Sequence, residues 1–165
     1  MLVLGIDPGT ATTGFGLVEE TSDKELKVID FGVILTKPSD PQEKRLQQIY
    51  QGVKDLMLLH HPDSGAVEKL FFQKNVTNAL AVGQARGVVL LAFAEAAIPF
   101  AEYSPQDVKI SVTGYGAAEK RQVQLMVQSL LGLKDLPKPD DAADALAIAI
   151  CHLHNSKYIS LLAEQ

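Results

Sequence analysis

The chain has 165 residues, 47% hydrophobic and 21% charged, a composition that excludes fibrous and disordered classes and predicts one compact domain over residues 1–165. Its formal net charge of -5 counts against a broad basic surface for nucleic acid, unless several of the acids gather in a site that a cation neutralises. Cys151 has no internal disulfide partner, Met1 opens no charged and apolar leader, and the apolar stretch at 79–94 is interrupted by Gln84, Arg86 and two glycines, so a cytoplasmic protein with no membrane role is expected.

Leu2 to Ile6 is an apolar run ending in Asp7-Pro8-Gly9, which predicts a strand and a turn. Residues 14–20 and 26–36 predict two further strands in an antiparallel meander. Asp40-Pro41-Gln42-Glu43 then supplies an N-cap, a proline at the first helical position and an acid three residues after the cap. Leu46, Ile49, Tyr50, Val53, Leu56 and Met57 follow at helical spacing, and the helix ends near His60-His61-Pro62. Gly65-Ala66-Val67-Glu68 predicts a fourth strand, 76–96 a helix and Ile98 to Glu102 a fifth strand, a crossover that makes the two strands parallel. Ser104-Pro105-Gln106-Asp107 caps a short helix, Gly114-Tyr115-Gly116 is a loop, and helices near 118–131 and 140–154 complete the chain. The expected fold is α/β, a mixed five-stranded sheet flanked by helices in the order of the ribonuclease H-like fold. A fold alone implies no activity, so the side chains must carry the function.

Asp7 ends the first strand and Glu68 the fourth, and ligands gather at the carboxyl ends of parallel strands. Asp141 and Asp144 are three residues apart at a helix start, hence on one face, with Asp140 as the expected N-cap. The helix continues as Ala145-Leu146-Ala147-Ile148-Ala149-Ile150-Cys151, apolar on every side, which places its beginning inside the protein. Carboxylates crowded in a low-dielectric site cannot all stay ionised without protons or cations, and no set of lysines is obviously placed to neutralise them. Oxygen-only ligands favour magnesium or manganese over zinc, and acids from three segments can hold two ions about 4 Å apart around a phosphodiester. One ion would generate the attacking hydroxide and the other stabilise the leaving oxygen, with Asp7 bridging them from the central strand. Taken singly, each acid has an ordinary explanation: Asp141 as a partner of the helix dipole, Asp7 as a turn residue, Glu68 as a surface acid. Their joint arrangement is what favours the metal site. His60, His61 and Cys151-His152-Leu153-His154 lack a second ligand pair at zinc spacing and are read as helix-end packing.

Several stretches resemble the RuvC family of crossover-junction endodeoxyribonucleases: Gly5-Ile6-Asp7-Pro8-Gly9-Thr10 with Gly14-Phe15-Gly16, Ala66-Val67-Glu68 followed by Phe71, and Asn75 with Gly83-Gln84-Ala85-Arg86-Gly87-Val88. Val108-Lys109, Gly116-Ala117-Ala118-Glu119-Lys120 and Asp141-Ala142-Ala143-Asp144-Ala145-Leu146 extend the likeness over nearly the whole chain. The resemblance implies that Asp7, Glu68, Asp141 and Asp144 bind Mg2+, two ions per site, with Mn2+ able to substitute. It implies a homodimer whose two sites nick symmetrically related strands of a four-way DNA junction, leaving 5'-phosphates, with the branch-migration proteins RuvA and RuvB as partners. It makes Phe71 the ring that stacks on an unpaired base at the junction centre, although core packing of the Phe71-Phe72 pair explains one ring equally well. Lys109 and Lys120 match the family's DNA-contacting lysines. Lys69, Lys74, Arg86 and Arg121 would add to a basic surface around the acids. The small residues Ala79, Ala81, Gly83, Ala85 and Gly87 fit a dimer contact and fit core packing as well.

Two rival readings remain at this level. Gly5-Ile6-Asp7-Pro8-Gly9-Thr10 also resembles the first phosphate loop of the actin, Hsp70 and sugar-kinase ATPases, which would make the chain a phosphotransferase. The length opposes that, since those proteins close two such domains on a nucleotide. The other rival is a junction-binding dimer without catalysis, which the retention of all four acids disfavours.

Overall fold

The computed structural model describes residues 1–69 and 76–163, in which five strands form one mixed sheet flanked by five helices. The strand order is β3-β2-β1-β4-β5. β1 (Leu2–Asp7), β2 (Thr12–Glu20) and β3 (Leu26–Leu35) are the antiparallel meander, each paired with the next. β4 (Ser64–Glu68) joins the other side of β1 in parallel, and β5 (Phe100–Tyr103) joins β4 in parallel. β1 therefore sits at the centre, covered on both faces, which is why its sequence is a nearly unbroken apolar run.

The period of two along β1 sorts its side chains between two cores. Leu4 and Ile6 point to the side of α1 (Gln42–His60) and α2 (Val76–Glu95), where Ile49, Val53, Val89 and Phe93 are fully buried. Val3 points to the opposite side, with Val18 and Ala66, against α3 (Pro105–Thr113), α4 (Lys120–Leu130) and α5 (Asp140–Ala163). From Ala142 to Cys151 every residue of α5 except Asp144 is buried, because α5 is clamped between the sheet and the α3–α4 pair. Its all-round apolar sequence reflects that position.

The predicted elements are present, with shifted ends. β2 begins two residues earlier than expected, β5 lies two residues later at its start, and α5 runs on to Ala163. Both aspartate caps are corrected. α1 starts at Gln42 with Pro41 as N-cap, so Asp40 lies one residue too far out to reach the first-turn amides and instead accepts from Gln48 Nε2 at 3.1 Å. α5 already includes Asp140, because the Pro139 carbonyl takes the first helical bonds, from the Ala142 and Ala143 amides. The expected cap at Ser104 forms, and it is a capping box: Ser104 Oγ accepts from the Asp107 amide and the Asp107 carboxylate accepts from the Ser104 amide. Among the described residues no helix is long and apolar enough to cross a membrane.

Candidate active site

Asp7 and Glu68 are the last residues of β1 and β4. These strands are parallel neighbours in a register that sets Val3 opposite Ser64 and Ile6 opposite Val67, so the two acids are the next residues along on each. α5 delivers the other two. A Cβ on Gly14, which faces Asp7 across the β1–β2 ladder, would stand 2.0 Å from the Asp141 carbonyl oxygen. One on Gly5 would stand 2.2 Å from the Ala145 carbonyl oxygen. Only glycine lets the helix backbone settle this close to the sheet, and that approach brings Asp141 and Asp144 over the ends of β1 and β4.

The charges register the crowding. Burial, followed by the charges of Glu68, Asp144 and Asp141, pushes the Asp7 carboxyl up to about 8. Burial and Asp144 push Glu68 up to about 7. Burial also raises Asp144 from its ordinary value, against the pull of Lys120. Perturbation of this kind, with burial and like charge acting together in a cleft, is what candidate active sites show.

One lysine, Lys120, does reach these acids, although no set of lysines neutralises them. As the first residue of α4, it places Nζ 2.8 Å from Asp144 Oδ2 and 3.4 Å from Asp140 Oδ2. Burial pulls its own pKa down, but the bonds and charges of Asp144 and Asp140 outweigh this and raise it. One ammonium against Asp7, Glu68, Asp141 and Asp144 leaves a net negative centre. Among the described residues no three His, Cys, Asp or Glu side chains stand ready in closed metal-ligand geometry. The donor set still suits a hard cation: all oxygen, partly desolvated, and held in proximity by a sheet and a helix that do not depend on it.

Lys109 shares this place. On α3 and half-buried, it lines with Glu68, Lys120 and Asp144 a cleft of about 270 Å³ whose floor is Val108, Ala147 and Ile148. The remaining expected cations are scattered. Arg86 on α2 is half-buried and hydrogen-bonds Glu102 of β5 through Nη2, so its charge is already met inside the protein. Lys69 is exposed just beyond Glu68, and Arg121 lines a different cleft with Lys134 and Lys138. Phe71, Phe72, Lys74 and Asn75 lie outside the described residues.

The histidines and the cysteine are in separate contacts. His152, held neutral by burial, sits between the hydroxyls of Ser64 and Tyr103 at 2.8 and 2.9 Å. His154 contacts Ser111, and His60 contacts Asp30. Burial pushes the Cys151 thiol up to about 11, which leaves it unreactive.

A ribonuclease H-like α/β domain with a carboxylate centre at the carboxyl ends of its central parallel strands defines the class of this protein. The family model for "Crossover junction endodeoxyribonuclease RuvC" matches residues 3–152. A crossover junction endodeoxyribonuclease RuvC of Syntrophomonas wolfei is 53% identical over 162 residues, 98% of this chain and 94% of that protein. The Thermus thermophilus RuvC structure matches with a TM-score of 0.88 and 38% identity over 96% of each chain. T. thermophilus RuvC in complex with Holliday junction substrate matches with a TM-score of 0.88 and 35% identity, again over 96% of each chain. The chain belongs to the RuvC family of crossover junction endodeoxyribonucleases.

Proposed function

We propose that this chain cuts four-way DNA junctions by hydrolysing phosphodiesters at the centre formed by Asp7, Glu68, Asp141 and Asp144. The observation that carries the reading is the convergence of acids from the ends of two parallel strands and one helix, close enough that Glu68, Asp144 and Asp141 raise the pKa of Asp7 and Asp144 raises that of Glu68. Two magnesium ions, with manganese able to substitute, would be held by these four side chains and would supply the Lewis acidity that activates water and stabilises a leaving oxygen.

The chain's own groups do the rest. Asp7, on the central strand and pushed up to about 8, would serve both halves of the centre. Lys109 and Lys120 line the same cleft and would offset phosphate charge as it builds in the transition state. Lys74 is assigned a supporting role toward DNA, and Phe71 a stacking role, from family likeness; Arg86, expected beside them, pairs with Glu102 and would serve by steadying α2 against β5. Residues 1–165 act as one domain.

Homodimer formation fits α2, whose buried Ala85, Val89 and Ala92 face the core while Leu80 and Leu91 stand 65% and 51% exposed on the other side of the helix. The dimer, RuvA and RuvB as partners, and a cytoplasmic setting rest on the family. The phosphotransferase reading gains nothing from the structure, which is a single five-stranded sheet among the described residues.

The test is cleavage of labelled four-way and linear DNA with and without magnesium, by the full chain and by Asp7→Asn. Metal-dependent paired nicks confined to the junction are expected from the full chain. The variant should bind the junction without cutting it. Equal cleavage by Asp7→Asn would remove Asp7 from the mechanism.

A further inference from the structure

A second cleft, of about 440 Å³, lies on the flank of the acidic centre away from Lys109 and Lys120. It is lined by the turn Gly9 to Thr12 that follows Asp7, by Ala81 and Val82 of α2, by Asp141, and by Arg45 of α1. Arg45 is the unusual member. It is half-buried, yet no carboxylate pairs with it among the described residues, whereas Lys54, Arg86 and Lys120 each have an acidic partner. A partly buried guanidinium in a chain with 20 acids to 15 lysines and arginines would ordinarily find one.

What Arg45 does have is a tether. Its Nε donates to Thr36 Oγ1 at 2.8 Å, and the Thr36 hydroxyl, itself buried, donates to the Thr10 carbonyl at 2.6 Å. The relay consumes the inner edge of the guanidinium and binds it to the turn after Asp7. Among the described residues neither terminal nitrogen has a hydrogen-bond partner, and the side chain lines the cleft. A guanidinium fixed at one edge and free at the fork is preorganised for bidentate contact with a phosphate. Asp141, on the same cleft, repels an anion on its own side, so the anion is drawn to the α1 side.

We infer that Arg45, oriented by Thr36, is a phosphate clamp for the DNA strand, gripping a backbone phosphate next to the one presented to the acidic centre. This rests on the junction-cutting reading and deepens it: lysines hold the strand on one flank of the acids and a tethered arginine on the other. Arg45 is a positioning residue, with no part in the bond that breaks.

The experiment is fluorescence-anisotropy titration of a labelled synthetic four-way junction in EDTA, over a salt series, with the full chain, Arg45→Gln and Arg45→Lys, beside thermal melts. Arg45→Gln should bind roughly tenfold more weakly, with a log-affinity against log-salt slope shallower by about 0.9 per clamp lost. Arg45→Lys keeps the charge and loses the Thr36 tether, so it should retain the slope and bind several-fold more weakly. Wild-type affinity and slope in Arg45→Gln would overturn the inference. If Arg45→Gln does not fold, wild-type affinity in Arg45→Lys overturns it instead. Failure of the broader reading looks different: the unsubstituted chain would then show no preference for the four-way junction over linear duplex.

Discussion

Lys120 reaches from the first turn of α4 to Asp144 on α5, and this 2.8 Å contact gives the carboxylate centre an ammonium as its near neighbour. The lysine holds Asp7, Glu68 and Asp144 below where burial and mutual repulsion alone would put them. It is about half exposed, so its value is local electrostatics and not fold stability.

Replacing it separates those roles. Lys120→Met should leave the melting temperature within a few degrees of the original. The midpoint of the cleavage pH profile should move upward, because the three acids lose the charge that favours their ionised forms. The rate at the optimum should fall by roughly 10²–10³ if the ammonium also meets developing charge on phosphate. An unshifted pH profile would show that Lys120 does not set the ionisation of the centre.

Asp7 ties stability to pH. Its carboxyl titrates near 8 in the folded chain, far above its ordinary value, so between the two the folded form holds a proton that the unfolded form has released. Its contribution to stability is therefore present at low pH and is lost as pH rises toward about 8. Glu68 adds the same trend up to about 7. Without added metal, Asp7→Asn should flatten this loss and melt roughly 2–4 °C higher than the original chain near pH 8, a gain of about 1 kcal/mol. Thermal melts from about pH 5 to pH 8 decide it; parallel curves for the two proteins would contradict the burial of an ionisable Asp7.

Cations and protons should compete for the same oxygens. The magnesium concentration giving half-maximal cleavage is expected to fall as pH rises from about 6 to about 8, as protons leave Asp7 and Glu68. Added magnesium should raise the melting temperature more at the upper end of that range than at the lower, and EDTA should reverse it. A metal requirement independent of pH would place the cation elsewhere.

Gly14 tests the geometry that unites the acids. With the Asp141 carbonyl 2.0 Å from where a Cβ would lie, Gly14→Ala forces α5 away from the sheet. A cost of about 1–3 kcal/mol is expected, read as a fall of a few degrees in melting temperature. Cleavage at a temperature where the variant is folded should drop by at least tenfold, while junction binding drops less, since the acids move and the surface lysines stay. Wild-type cleavage would mean that the close approach of α5 is not needed for chemistry.

The elements were largely legible because their signals are local. The meander, the crossover helix and the cap at Ser104 follow from apolar period and turn chemistry, and the expected ranges differ from those observed mainly at the ends. Asp40 and Asp140 have the sequence signature of caps without being caps, because whether a helix begins one residue earlier or later depends on where the preceding carbonyl points. The Arg86–Glu102 pair, joining α2 to β5, had no sequence signal. Nor had the tether of Arg45 to Thr36, or the reach of Lys120 to Asp144.

The sequence by itself determined which residues could do chemistry: acids at the ends of two apolar strands, and a pair on one face of a helix too apolar to lie anywhere but inside. Only the tertiary structure decided that these acids share one place. β4 pairs with β1 and not with β3, and α5 beds on glycines 5 and 14. Those are long-range choices, made by the burial of two cores at once, and no local period encodes them.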